Sequence, residues 1–327
     1  MRTKKTLISL LFLLLSIVLT ACGGGGGGSS GGVTPVAPTT PIAITTANAD
    51  AVAYTAIDAF GPAGDGISLA SVTSPTPASA ATRIRLLDLV KLARDTYRDV
   101  SSSPSVPTAY TTQGCPGGGS ATTPEDTDPL PVTMTFNNCS ENGLTINGSM
   151  TVSGVGDMDM GPFNGAVTFN SLTISDGSDS FGINGTMNIK FTVSGTTETG
   201  TVTCSILQLT TSGETIDLTG MNISYIEKYS VSEQENVRYT VNSTLLKGSV
   251  QVTTTADLYY DLTYFYDYPY KGTMVITGAN SKIILTALSN VPDNPGAVHI
   301  QVDEDNDGNF EENKFVSWNA LASATLP

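Results

Sequence analysis

The sequence is poor in charge, in basic residues and in histidine, and each shortage removes a class of function. Lys, Arg, Asp and Glu make up 14% of the 327 residues, against roughly 25% in an ordinary soluble protein. Fifteen basic residues face 30 acidic ones, a formal net charge of −15. Arg2, Lys4 and Lys5 lie at the N-terminus, and without them 12 basic residues oppose 30 acidic, a net of −18. Such a chain does not neutralise phosphates, which argues against nucleic acid and against electrostatic docking on anionic lipid. The single histidine, His299, argues against His-rich metal sites and most Ser-His or Cys-His catalysis. There is no G-x-S-x-G, Walker loop or H-E-x-x-H, and carboxylate pairs fall at no diagnostic spacing. We therefore expect no catalytic residue, with a carboxylate-based hydrolase as the enzymatic alternative. Long apolar runs are lacking too: Leu7–Thr20 covers 14 residues, where a membrane-spanning helix needs about 20.

What is present at the N-terminus is a basic n-region followed by that short apolar run, which reads as a signal peptide over residues 1–21. It ends in Leu19-Thr20-Ala21-Cys22, which resembles the lipobox of bacterial lipoproteins. The resemblance implies cleavage before Cys22, a thioether-linked diacylglycerol on its sulfur and acylation of the new amino group. Several acyl chains together make membrane attachment effectively permanent. Residue 23 is Gly and not the Asp associated with inner-membrane retention, so the resemblance places the protein at the outer membrane. A Gly/Ser run and a Pro/Thr/Ala stretch then carry the chain to residue 45. This 22–45 segment reads as a flexible tether with a root-mean-square reach of about 25–30 Å.

Two helices are expected next, over residues 48–60 and 80–100. Ala49, Val52, Ala53, Ala56, Ile57 and Phe60 recur at helical spacing before Gly61-Pro62. Leu86, Leu89, Val90, Ala93, Tyr97 and Val100 do the same in the second, which also carries Arg83, Arg85, Lys91, Arg94 and Arg98. Those five bases read as a solvated helix face turned toward the acidic remainder of the chain, or as a strip for an acidic partner. From about residue 130 the period becomes two. Phe181, Ile183, Met187, Ile189, Phe191 and Val193 alternate with Asn184, Thr186, Asn188, Lys190 and Thr192, and the runs around Val132–Phe136 and Leu144–Val152 behave alike. One apolar and one Thr/Asn face implies antiparallel strands with one side solvated. A short element recurs at uneven spacing inside these runs, as in Asn147-Gly148, Asn164-Gly165, Asn184-Gly185, Lys247-Gly248 and Lys271-Gly272. Within an alternating run such a glycine marks a kink or bulge. The expected fold is α+β: two N-terminal helices packed on a large curved antiparallel meander of ten to twelve strands, a partly closed, barrel-like sheet. It fills one domain, residues 46–327.

The layout of lipobox, Gly-rich tether, helix, β-rich body and late Asp-rich loop resembles uncharacterised outer-membrane lipoproteins of Gram-negative bacteria. A curved sheet crossed by a helix is also similar to periplasmic lipoprotein carrier and receptor proteins, a likeness of architecture alone. With Cys22 acylated, Cys115, Cys139 and Cys204 remain. Pairing Cys115 with Cys139 closes a loop of about 25 residues, worth at most about 3.5 kcal/mol on the chain-entropy model. Cys204 shares parity with Val202 and Ile206 and is expected in the core.

Two further features carry chemistry. Asp303-Glu304-Asp305-Asn306-Asp307-Gly308 matches the opening of a calcium loop, because alternate carboxylates turn inward to a hard cation and Gly allows the sharp turn. Asn309, Glu311 and Glu312 offer further oxygens. Lys314 stands where an EF-hand has a bidentate Glu and the flanks read as strands, so the loop resembles the strand-flanked DxDxDG loops of secreted proteins; an unliganded acidic hairpin is the alternative. Six of the 12 tyrosines cluster within residues 259–270. Tyr260, Tyr264, Tyr266 and Tyr268 share parity, as a ligand-facing wall or as aromatic cross-strand pairs. His299 has the parity opposite to Val298 and Ile300, which points it to solvent. The functional expectation is a non-catalytic envelope or surface module, anchored through Cys22 and stabilised by Ca2+, with a structural or binding role. The alternative is a periplasm-facing carrier of a lipid or other apolar ligand.

Overall fold

The computed structural model describes residues 37–58, 110–115, 117–124, 130–141, 144–158, 161–175, 180–210, 214–229, 231–262, 268–288 and 297–322. The signal peptide, Cys22, the Gly-rich run and the helix expected over 80–100 lie outside these residues. Helix α1 spans Ala49–Asp58 and a short α2 spans Trp318–Ala322. Fourteen strands lie between them: β1 (Tyr110–Gly114), β2 (Ser120–Pro124), β3 (Val132–Glu141), β4 (Leu144–Gly156), β5 (Phe163–Ser175), β6 (Ser180–Ser194) and β7 (Thr197–Thr210), then β8 (Thr215–Lys228), β9 (Ser232–Ser243), β10 (Gly248–Asp261), β11 (Lys271–Thr277), β12 (Lys282–Leu288), β13 (Ala297–Asp303) and β14 (Glu312–Ser317). They hydrogen-bond in sequence order, the antiparallel meander expected. Among the described residues the sheet is not closed, since β1 and β14 each pair with one strand only, and this corrects the expected partly closed barrel. The described residues also show one short N-terminal helix where two packed helices were expected.

The chain divides into two compact units. The described residues of the first are those within 110–189 and 207–210. Its core is the apolar face of β3 to β6, with Met134, Met150, Phe163, Phe169 and Ile183 fully buried. The opposite face is half exposed, and its threonines pair across strands: Thr133 with Thr151 and Thr168 with Thr186, each at 2.9 Å between hydroxyls. The recurrent glycine acts here as a bulge device. Gly148 has φ +97°, and a Cβ on it would lie 2.2 Å from the carbonyl oxygen of Ser171. Ser171 is itself left-handed at φ 48°, and the β4–β5 register slips between Asn147 and Ser149. The preceding Asn147 accepts the backbone N–H of Asn138 through Oδ1 at 2.6 Å, which holds a second left-handed residue, φ 46°, in β3. Asn-Gly therefore pins one neighbouring bulge through its amide and leaves space for another through its missing side chain.

The described residues of the second unit are those within 37–58, 190–206 and 214–322. Its strands alternate cleanly, as in β12 and β13, where Ile283, Leu285, Val298, Ile300 and Val302 are buried. Helix α1 presents Ala49, Val52, Ala53, Ala56 and Ile57 inward, the face its spacing predicts. Tyr239 Oη, from β9, donates to the Ala56 carbonyl at 2.9 Å. Asn48 caps the helix entry by accepting the Thr45 N–H at 2.8 Å.

Residues 37–46, of which 37–45 read from sequence as the last part of a tether, lie docked as a strap in this unit. Ala37 N–H donates to the buried Asp217 at 2.9 Å, Ile42 N–H to the Ser249 carbonyl at 3.1 Å, and Ile44 N–H to Ser281 Oγ at 2.7 Å. Two glycines make the approach possible. A Cβ at Gly248 would sit 2.2 Å from Ile42 Cγ2, and one at Gly278 would sit 2.3 Å from the Ile42 carbonyl oxygen. We predict that Gly248→Val, which overfills this contact, lowers stability by about 1–3 kcal/mol. Urea unfolding should show a lower midpoint at unchanged slope, with faster hydrogen exchange at Ile42 and Ile44.

Candidate functional site

The acidic loop connects β13 to β14. Asp303 ends the buried side of β13 with no solvent access, while Asp305 and Asp307 are exposed. One ligand atom from each of these three carboxylates lies within 4.8 Å of the others. The turn is folded around their oxygens. Asp303 accepts the N–H groups of Asp307 at 3.1 Å and Gly308 at 3.0 Å, Asp305 accepts Asp307 N–H at 3.1 Å, and Asp307 accepts Asn309 N–H at 2.7 Å. Hard oxygen donors at alternate positions fit Ca2+ better than a softer ion. The other expected ligands are committed differently. Asn309 turns its amide Nδ2 onto Asp307, Glu311 accepts the Glu304 N–H at 2.7 Å, and Glu312 pairs with Lys314 at 3.1 Å.

Neighbouring strands hold the loop from behind. Lys282 Nζ, from β12, reaches Asp303 Oδ2 and Asn306 Oδ1, both at 2.9 Å. That hydrogen bond holds the Asp303 carboxyl below its ordinary range; desolvation opposes the shift, and the backbone N–H groups of the turn support it. Asn280 donates to the Asp305 carbonyl at 2.9 Å. Glu304 accepts the Thr46 N–H at 2.5 Å, so the loop also grips the end of the strap. Lys314 bridges Asp50 of α1, at 2.8 Å, to Glu312. Burial works against the Lys314 charge, but the two carboxylates more than offset it and raise its pKa.

Only part of the tyrosine cluster lies among the described residues. Leu258 and Tyr260 are buried on β10, but that strand ends at Asp261, and Tyr268 lies beyond it in a bend. Tyr268 stacks on Trp318 with ring centroids 5.1 Å apart. Tyr264 and Tyr266 lie outside the described residues. His299 is half-buried, its ring stacked on Phe315 at 4.5 Å and bonded to Asn313 Oδ1. Cys115 and Cys139 form a disulfide; it joins the end of β1 to the bulged part of β3, where the Cys115 and Ser140 N–H groups bond the Gly119 and Gly118 carbonyls.

Sequence reasoning missed a second polar constellation. Glu198, Glu227, Glu233 and Glu235 are all buried, from strands β7, β8 and β9. Tyr225 and Tyr229 donate their hydroxyls to the two oxygens of Glu198, at 2.6 and 3.2 Å. Gly200 clears space for the Tyr225 ring, since a Cβ there would lie 2.6 Å from it. Tyr239, desolvated and close to Tyr260 and Glu235, is pushed well above the usual phenol range. The signal was present in parity: Glu233 and Glu235 fall on the same face as Val237, Tyr239 and Val241. The chain matches no family model, and neither the curated proteins nor the solved structures contain a match to it.

Cys204 is buried in β7 with its thiol 3.9 Å from the Leu218 carbonyl oxygen. Desolvation pushes its pKa up to about 11, against a smaller lowering by a backbone hydrogen bond from Met221. At pH 8 the native thiolate fraction is then on the order of one in a thousand. We predict that iodoacetamide modifies Cys204 only after unfolding. The neutral thiol favours the native state below the unfolded pKa of about 8.5, and that contribution is lost as pH rises from there through the folded pKa. Mass spectrometry of native and urea-unfolded samples labelled in parallel checks the first point.

Proposed function

We propose that this protein is a lipid-anchored module of the bacterial outer membrane with a structural or binding role and no catalysis of its own. The observation that carries the reading is Leu19-Thr20-Ala21-Cys22 behind a basic n-region and a 14-residue apolar run, with a Gly-rich tether after it. Diacylglycerol on the Cys22 sulfur and an acyl chain on its amino group hold the chain at the membrane. In this reading the loop of Asp303, Asp305 and Asp307 takes Ca2+, with Asn309, Glu311 and Glu312 near enough in sequence to complete the oxygen set. The ion stiffens the β13–β14 connection and neutralises part of the acidic excess. The three clustered carboxylates support this assignment, and the Lys282 ammonium on Asp303 tempers it by supplying one positive charge already.

The apolar-carrier reading has less support, because the buried face of β7, β8 and β9 carries four glutamates where such a cavity needs aliphatic walls.

Two experiments test the proposal separately. Metabolic labelling with a fatty-acid analogue should mark the protein, and Cys22→Ser should abolish the label and release the chain from membranes; an unlabelled parent chain rejects the anchor. Calorimetric titration with Ca2+ should saturate at millimolar concentration or below. The native state should gain about 2.7 kcal/mol at one hundred times Kd, and Asp305→Asn should remove most of this. No heat and no shift in Tm at millimolar Ca2+ reject the metal site.

A further inference from the structure

Strand β14 ends the sheet order, and among the described residues it pairs with β13 alone. Val298, Ile300 and Val302 of β13 are fully buried, yet their partners Val316, Lys314 and Glu312 are only half covered. On the other face Asn313 and Ser317 are exposed, and Phe315 is 65% exposed. Six residues at about 3.4 Å each leave some 20 Å of strand edge whose alternate residues turn N–H and C=O groups outward. Proteins commonly guard such an edge with a lysine. The lysine of β14 offers little guard, because its ammonium is drawn onto Asp50 and Glu312.

We infer that β14 is the interface for a second copy of this chain, added as an antiparallel strand about a two-fold axis through Asn313. The charge pattern selects the copy and the register. Centred on Asn313, the two strands overlap over residues 312–314 and each Glu312 faces the Lys314 of the second copy, while Phe310, in the loop before β14 and 37% exposed, is set beside Val316. On the opposite face Asn313 meets Asn313, and Glu311 meets Phe315. Centring on Lys314 instead sets two lysines against each other, and centring on Phe315 leaves both charged residues without an opposite charge. Such an isologous contact closes on itself and builds a dimer with one continuous sheet edge.

The test uses the full mature chain in detergent, followed by sedimentation and by non-reducing electrophoresis. The parent chain should reach a dimer. Lys314→Glu should weaken it about tenfold, since two cross-strand pairs turn from attractive to repulsive. The double exchange Glu312→Lys with Lys314→Glu, made together with Asp50→Lys so that residue 314 keeps its partner on α1, should restore it. Independently of that pair, Asn313→Cys should form an intermolecular disulfide, because residues opposite each other on an antiparallel pair meet the Cα spacing a disulfide needs. Ser317→Cys should not. A chain that stays monomeric, a dimer indifferent to the charge exchange, oligomers beyond two, or equal crosslinking at positions 313 and 317 each overturn the inference.

Discussion

A carboxylate without solvent access organises one end of the second unit. Asp303 must find its hydrogen bonds inside the protein, because an unpaired buried charge is far costlier than any single contact is favourable. It accepts two turn N–H groups and the Lys282 ammonium. Those bonds shape the loop, and the shaped loop sets Glu304 against Thr46. The strap in turn leads into α1, whose Asp50 reaches Lys314 on the strand that follows the loop. Strand β12, the loop, the strap, the helix and β14 are thus tied in one circuit of polar contacts. The apolar strand faces supply burial; the circuit fixes how these elements meet.

The same constraint governs the acidic excess. A chain with twice as many acids as bases has to place its carboxylates where they are hydrated, bonded or protonated. The loop exposes Asp305 and Asp307 and buries only Asp303. Asp217 is buried where it receives the Ala37 N–H, and Glu198 where two tyrosine hydroxyls converge. Glu214 is half-buried beside Ser243, and desolvation raises its pKa despite that hydrogen bond. At Asp303, Asp217 and Glu198 the buried acid has a donor in place, and those donors come mainly from backbone and from hydroxyls. That suits a sequence with few cations to spend on ion pairs.

How much of this was legible from sequence depended on whether the signal was local. The strand Phe181–Val193 was readable because a period of two needs no knowledge of its neighbours, and burial follows the predicted parity through Phe191. The bulge role of Gly148 was readable for the same reason, since a glycine inside an alternating run has few other uses. The strap was not. Its Pro/Thr/Ala composition is that of a linker, and its docking is specified by Gly248 and Gly278, some 200 residues away. For the tyrosine run, parity placed Tyr260 on the buried face of β10, but shared parity implies a shared face only while the strand continues, and β10 stops at Asp261. Cys204 was placed correctly in the core, but the phase slips just after it, so that Leu207 is buried in place of Ile206. The metal ligands beyond Asp307 were chosen by spacing, whereas their local partners decide where those side chains point: Asp307 for Asn309, the Glu304 N–H for Glu311 and Lys314 for Glu312.

The strap also changes what the tether can do under the proposed anchor. If the chain were free from Cys22 to Thr45, its reach would be about 25–30 Å. With Ala37 fixed to Asp217, at most about 14 residues between Cys22 and the strap could serve as tether, a reach of about 20 Å. Any pull from the membrane then arrives first at the Ala37–Asp217 bond and next at the contacts of residues 39–42 with Ser249 and Ala279. It reaches the acidic loop last, through Thr46 and Glu304. A tether that simply ended at the domain surface would transmit force to whichever residue came first. This one runs through a slot shaped by two glycines and finishes at the acidic turn after β13, so under the proposed anchor the loop and the tether belong to one connected element.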